Sequence, residues 1–340
     1  VIIIQERNAP MARIYLLMLI IGVSLTSCGS TVAPTATIAP STTSVSQAEA
    51  TATVAPTLEP TTAPIAAITA PITLSEGFAQ PEGMLHNQLS DLYLVSNING
   101  TPFGRDDNGY IAQINPDGTL NQAKWIDGAS AEVELNAPKG MAIANNTLYV
   151  ADLDSVRLFD AVSGEVKGTI AISGSSFLND LVARDDGTVF VSDMGINEAF
   201  GSTGTAAIYQ IDPAGNVSLA VKLADGNPNG LAMTADGTLL VCRYDTAVEI
   251  FELTADGILQ PYRKASASQH DGLVVLADQS LLVSSWQTAN IHQLMADGSE
   301  RIIYHGPTGA PADINLDHQR KVLLMPLIMT NQVVLWPLAD

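Results

Sequence analysis

The most constraining feature of this chain is a fourteen-residue stretch, Pro228-Asn229-Gly230-Leu231-Ala232-Met233-Thr234-Ala235-Asp236-Gly237-Thr238-Leu239-Leu240-Val241, because its pattern occurs six times. It reads as a short apolar strand, an Asp-Gly turn and a second apolar strand. The copies open at Pro81-Glu82-Gly83, Pro138-Lys139-Gly140, Leu178-Asn179-Asp180, Pro228-Asn229-Gly230, His270-Asp271-Gly272 and Pro311-Ala312-Asp313. Each leads to an apolar run, among them Leu92–Val95, Leu148–Val150, Val189–Val191, Leu281–Val283 and Val322–Leu324.

The second residues of the six openings are 57, 40, 50, 42 and 41 positions apart. That is the period of a four-stranded propeller blade. The rest of each repeat supplies the remaining strands and turns: Tyr110–Ile114 before Asn115-Pro116-Asp117-Gly118, Ala207–Ile211 before Asp212-Pro213-Ala214-Gly215, Val248–Leu253 before Ala255-Asp256-Gly257, and Ile291–Leu294 before Ala296-Asp297-Gly298. Pro-Asp-Gly and Asp-Gly turns between apolar runs imply antiparallel pairing. The last repeat stops in its third strand, Val333–Leu338. Pro71-Ile72-Thr73-Leu74 precedes the first opening as Glu300–Tyr304 precedes the last, so it supplies the missing strand. The expected fold is an all-β, six-bladed propeller over residues 71–340, closed by its own N-terminal strand. Closure leaves no exposed sheet edge, which an open solenoid does not achieve.

The residues before the repeats have a different character. From Met11 the chain carries Arg13, the apolar run Ile14–Val23 and then Leu25-Thr26-Ser27-Cys28-Gly29. This is an export-signal pattern, too short for a comfortable membrane span. Its end resembles the bacterial lipobox, in which the Cys receives lipid and becomes the new N-terminus. The resemblance implies a signal segment 1–28, lipidation at Cys28 and a membrane-anchored lipoprotein on the extracytoplasmic side. Residues 29–70 are rich in Thr, Pro and Ala, and read as an extended linker without a core.

Of the 35 acidic and 15 basic residues, three and two respectively precede residue 71, leaving 32 against 13 and a net of −19 for the repeats. Such a surface repels nucleic acid and anionic lipid; nothing in the pattern calls for more than a monomer. Cys242 ends an apolar strand and reads as a buried, inert thiol. Neither a serine nucleophile elbow nor a glycine-rich phosphate loop is present.

In a propeller the innermost strand of each blade starts at the mouth of the central channel. Glu82, Lys139, Asn179, Asn229, Asp271 and Ala312 (or Asp313, if the last register slips) therefore face one axial point. Two carboxylates and two amide carbonyls make a hard oxygen site suited to Ca²⁺ or another divalent cation. Each residue alone also fits a turn or strand-capping role. Loops on the same face bring Asn97, Asp152, Asp193, Arg243 and Trp286 to the rim. Arg243 is placed to hold a carboxylate or phosphate, and Trp286 to stack on a ring. His270 either orients Asp271, shuttles a proton or is structural.

On Pro81-Glu82-Gly83, Phe177-Leu178-Asn179-Asp180, Pro228-Asn229-Gly230-Leu231-Ala232 and His270-Asp271-Gly272-Leu273, the chain resembles the senescence-marker-protein/gluconolactonase family. These are six-bladed propellers that include lactonases and a calcium-dependent organophosphate hydrolase. The resemblance implies Glu82, Asn229 and Asp271 as direct metal ligands, and Asn179 as a ligand or a substrate-holding amide. It implies hydrolysis of a small-molecule lactone or ester, with Asp271 as nucleophile or general base and Asn179 positioning substrate. Two departures favour the alternative of a non-catalytic binding propeller displayed on the cell surface. Lys139 occupies a ring position, where it pairs with Glu82, assists substrate binding or takes the metal's place. Gly174-Ser175-Ser176-Phe177 lacks the family's substrate-binding Arg before Asn179.

Overall fold

The computed structural model describes residues 68–306 and 311–339. The expected signal segment 1–28 with Cys28, and nearly all of the expected 29–70 linker, lie outside the described residues. The rest forms six four-stranded antiparallel sheets. In the first blade the strands run, from the channel outward, Pro81–Asn87, Leu92–Asn97, Tyr110–Ile114 and Leu120–Asp127. The next four blades repeat this order, with inner strands Pro138–Ala144, Leu178–Ala183, Pro228–Met233 and His270–Val275.

The Asp-Gly turns sit where the pattern placed them. At Asn115-Pro116-Asp117-Gly118 the glycine has φ +85°, a region that side chains with a Cβ disfavour. Its N–H donates to Asn115 O at 2.9 Å, and the Asp117 carboxylate accepts from Thr119 N at 2.9 Å.

The sixth blade closes the ring as expected. Ile72–Leu74 pairs with Gln332–Pro337, in register Ile72 to Leu335 and Leu74 to Val333, and Val322–Leu327 and Asn315–Asp317 complete the sheet. Ile72 and Leu74 pack against a cluster that joins the two ends of the chain: Met84, Tyr93 and Val95 on one side, Val322, Leu324 and Leu335 on the other. A polar clasp lies beside it. The Tyr93 hydroxyl donates to Asp317 Oδ2 at 2.8 Å, and Arg320 binds both Asp317 and Asp91. Burial of Ile72 and Leu74, only partial, is worth about 1 kcal/mol each. The clasp ties the first blade to the sixth.

The inner strands share one irregularity. In blades one to five the register slips between the first and fourth residues, Pro81 to Met84, Pro138 to Met141, Leu178 to Leu181, Pro228 to Leu231 and His270 to Leu273. A bulge takes its residues out of the ladder and re-aims their side chains. The second and third residues of these five openings, the ring positions among them, are thus turned toward the channel.

Candidate metal and active site at the channel mouth

The bulges need substitute partners for the backbone groups they free, and the second strand provides them. Ser96 Oγ accepts from Gly83 N at 2.8 Å, Ser192 Oγ from Asp180 N at 3.0 Å and Ser284 Oγ from Gly272 N at 2.8 Å. Cys242 holds the corresponding place in blade four, where its thiol donates to Asp271 O at 3.0 Å. Burial pushes that thiol well above its usual range, so it stays protonated. The third residue of an opening is glycine in four blades for a steric reason. A Cβ at Gly230 would strike Asp271 O, and one at Gly272 would strike Ile314 N.

Glu82, Lys139, Asn179, Asn229 and Asp271 are all buried at the ring. Glu82 Oε2, Asn179 Oδ1, Asn229 Oδ1 and Asp271 Oδ1 are each sealed from solvent without a hydrogen-bond partner. Buried polar atoms are ordinarily paired, so four uncommitted oxygens at one place call for a positive partner. The other atoms of Asp271 and Asn179 are held firmly. Asp271 Oδ2 accepts from the Trp286 indole N–H at 2.6 Å, and the Asn179 amide nitrogen rests on the Met194 sulfur at 3.2 Å.

Ala312 keeps the register of the sixth opening, since Pro311 bridges Leu327 as Pro81 pairs with Asn97. Asp313 therefore takes the glycine position, as Asp180 does in blade three. These two carboxyls meet across the channel and share a hydrogen bond. Asp180 Oδ2 also accepts from Leu231 N at 2.7 Å, and Asp313 N donates to Glu82 O at 2.9 Å. Below them the channel opens into a cavity of about 640 Å³, reached by His86, Asn315 and His318. Sequence reasoning did not single out Asp180, although it stands inside a quoted motif. The signal was available: an acid where four other repeats have glycine.

The electrostatics follow from this crowding. Burial, then repulsion from Asp271 and Asp180, holds Glu82 well above the usual carboxylate range, and Lys139 offsets part of it. Burial raises Asp271 to about 7, against the stabilising contacts of Trp286 and Asn229. Asp180 is likewise raised by burial to about 7. Burial and the neighbouring carboxylates lift Asp313 well above its ordinary value. Hard oxygen donors, a surplus of acid groups and uncommitted lone pairs fit a divalent cation such as calcium. Among the described residues no group of three or more His, Cys, Asp and Glu side chains is arranged to hold a metal; the donor set is half amide.

Lys139 makes no ion pair with Glu82. Its ammonium donates to Ala137 O at 2.9 Å and sits 4.3 Å from the centre of the Phe177 ring. Burial lowers its pKa to about 8, leaving it mostly charged at neutral pH. The rim residues have structural duties. Asn97 is fully enclosed, accepting from Ala79 N at 3.0 Å and donating to Val95 O at 3.0 Å. Asp152 binds Ala137 N at 2.8 Å and Asp193 binds Phe177 N at 2.9 Å, each fastening the loop that leads into an inner strand. Arg243 is engaged with Asp245 at 2.7 Å and lies over Phe251. His270 is wholly buried with both ring nitrogens unpartnered. Burial, with His292 nearby, lowers it to about 4, so the imidazole is neutral at physiological pH.

The sequence model of the SMP-30/Gluconolactonase/LRE-like region matches residues 107–324. A comparison with curated proteins returned no match. Among solved structures, the chain is similar to a gluconolactonase from Xanthomonas campestris, with 20% identity over 79% of this chain and 89% of that one, TM-score 0.62. It is also similar to virginiamycin B lyase from Staphylococcus aureus, 12% identical over 79% and 99% of the two chains, TM-score 0.55. A luciferin-regenerating enzyme is 12% identical over 80% and 98%, TM-score 0.57. At these identities the structural likeness speaks for the fold, which hosts hydrolases and lyases alike.

Proposed function

Because the chain belongs to the SMP-30/gluconolactonase/LRE-like family, we propose that it is a divalent-cation-dependent hydrolase of a lactone or other ester, with Ca²⁺ as the natural metal. The observation that carries this reading is the set of four uncommitted buried oxygens on Glu82, Asn179, Asn229 and Asp271. These residues would hold the ion. When bound, a divalent cation polarises a carbonyl oxygen and stabilises the oxyanion that develops on it.

The remaining work falls to side chains. Asp271 has one oxygen fixed by the Trp286 indole and one free, so it is oriented and still able to accept a proton. Burial alone raises its pKa to about 7; beside a bound cation it would stay ionised, the form a general base needs. It takes a proton from water as the water oxygen bonds to the carbonyl carbon. The ester C–O bond then breaks, and the proton passes to the leaving oxygen. Asn179, steadied by Met194, has a single free oxygen, which would serve the ion or, in its place, a hydrogen-bond donor of the substrate. Export and lipidation at Cys28 would place this chemistry on the extracytoplasmic side of a membrane, which radiolabelled fatty acid on wild type and Cys28→Ala would test.

Lys139 favours a second reading. A buried cation at a ring position opposes metal binding, as expected of a propeller that only binds ligands. Calcium titration by calorimetry on the full chain, beside Asp271→Ala, separates the two. Binding near one equivalent that the variant loses, with hydrolysis that Asp271→Asn abolishes, supports the hydrolase. No saturable binding in the wild type, or full activity in Asp271→Asn, overturns it.

A further inference from the structure

The repeats differ in length, and much of the excess lies in two loops. The first and third openings are followed by the next after 57 and 50 residues, against 40 to 42 elsewhere. In the first and third blades residues 98–109 and 194–206 join the second strand to the third; the second blade makes the same connection with residues 153–154 alone. A blade closes without such loops, and long loops in a compact fold are usually functional. These two reach past the second blade and meet.

Their meeting point is aromatic. Phe103 rests on Phe177, ring centres 4.3 Å apart. Phe177 is itself buried with Met194 and Ile196, so this wall is anchored in the fold. Phe200 stands perpendicular to Phe103, with ring centres 5.9 Å apart. Burial does not account for its position, since it is 60% exposed. Its backbone has φ +56°, a left-handed conformation that is strained for a bulky residue. Asn197 fixes the turn that imposes it, its carboxamide oxygen accepting from Ala199 N and Gly201 N at 3.0 Å each.

Phe103 and Phe200 line a cleft of about 610 Å³ together with Thr101, Arg105 and Glu198, a volume within the range of small-molecule sites. No residue of the channel ring lines it. Its two charged groups are in different states. The Arg105 guanidinium is paired with Asp154 at 2.6 Å, which fastens the first loop to the second blade. Glu198 is exposed and makes no hydrogen bond or ion pair with a described residue. The cleft therefore presents two perpendicular rings and one uncompensated carboxylate.

An aromatic face attracts a cation, and the carboxylate adds to that attraction. Hydrogen bonding decides which cation. A primary ammonium brings three N–H donors, each of which needs an acceptor once out of water, and Glu198 is the one free carboxylate here. A quaternary ammonium has no donor to satisfy, and its methyl groups pack against the rings.

We propose that this cleft is a binding site for a quaternary ammonium group, seated between Phe103 and Phe200 and balanced by Glu198. It is separate from the channel ring and independent of the hydrolase reading.

The test titrates choline into the full-length protein by calorimetry, beside ethanolamine and 3,3-dimethylbutan-1-ol, the uncharged isostere of choline. Expected is saturable choline binding about tenfold tighter than that of either, as contact of a cation with two rings predicts. Phe200→Ala should weaken it roughly 3- to 10-fold and Glu198→Gln about 3-fold, while Phe200→Tyr retains it. Both residues are exposed, so these variants keep the fold. Asp271→Ala should leave choline affinity unchanged. No saturable choline binding, or equal binding of ethanolamine or of the isostere, overturns the inference. Binding that Asp271→Ala abolishes and Phe200→Ala spares also overturns it, because the cation then sits at the channel ring. Phosphatidylcholine vesicles separate the two sources of such a group, and both uphold the site: co-sedimentation that Phe200→Ala loses identifies a lipid headgroup, and choline binding without co-sedimentation identifies a soluble ligand.

Discussion

Asp271 has its two oxygens in different states, one fixed by the Trp286 indole and one uncommitted. With burial raising its pKa to about 7, a proton and a cation compete for the free oxygen close to neutrality. Metal binding requires the deprotonated form, so calcium affinity should fall as pH falls through 7. Between pH 8 and pH 6 a loss of about tenfold is expected by calorimetry; a flat profile would remove Asp271 from the ligand set. Lys139 acts in the opposite sense. It is buried beside the ring and still largely charged at pH 7. Lys139→Gln removes that charge, and calcium affinity at pH 7 should rise by about tenfold, in line with ~1–2 kcal/mol of charge repulsion at an effective dielectric near 20. Unchanged affinity would mean that the ammonium, held by Ala137 O and Phe177, is too far away to matter.

At the scale of elements, two devices determine the geometry of the site. One is the bulge at the head of the first five inner strands, which turns ring residues inward and, in three of them, recovers the freed N–H through Ser96, Ser192 and Ser284. The other is the closing strand. Ile72–Leu74 is only three residues long, and its hold comes from antiparallel pairing with Gln332–Pro337 and from packing of Ile72 and Leu74. Ile72→Asp places a charge against that cluster. It should lower unfolding stability by about 2–3 kcal/mol in urea titrations and expose the edge of Gln332–Pro337 to association, seen as concentration-dependent light scattering. Wild-type stability in this variant would show that the sixth sheet holds without its fourth strand.

For the whole molecule, the burial of Glu82, Asp180, Asp271 and Asp313 around one channel couples charge to stability. Their pKa values are raised in the folded protein. A group raised in this way contributes stability that is complete below its unfolded pKa and is lost as pH rises through the folded value. Surface carboxylates such as Asp160, held low by backbone donors, are ionised in both states above pH 5 and add no slope there. His270, lowered to about 4, works in the opposite direction but chiefly below pH 6.5, and Lys139 only from about 8 upward. Between pH 6.5 and 8 the channel carboxyls therefore dominate, and in chelator the melting temperature should fall. Calcium at a hundredfold excess over its Kd should add about 2.7 kcal/mol at pH 8, a rise of several degrees for a domain of this size. Scanning calorimetry with and without chelator reads both. Stability that rises over this window without calcium would mean that the carboxyls are ionised and otherwise compensated.

The sequence by itself determined the repeat, the blades and their closure. Those features are written locally, in Asp-Gly and Pro-Asp-Gly turns between apolar runs and in a sixth repeat one strand short; the observed strands begin and end within a residue or two of that reading in the first five blades, while the inner strand of the sixth begins at Asn315, four residues after its opening at Pro311. It also placed Glu82, Asn179, Asn229 and Asp271 at one position of four of the six blades, because a repeating strand start carries its side chain to the same radius each time. What the tertiary structure alone decided depends on residues far apart in the chain. Asp180 and Asp313 meet across the channel because two blades lack the glycine that the others have. Lys139 turns from Glu82 toward Ala137 and Phe177. Asn97 and Arg243 are absorbed into loop packing. Phe103 and Phe200, in loops of no periodic pattern, converge on one cleft. A repeat specifies where each blade begins; which atoms stay free once the blades face one another is fixed only by contacts that no local pattern encodes.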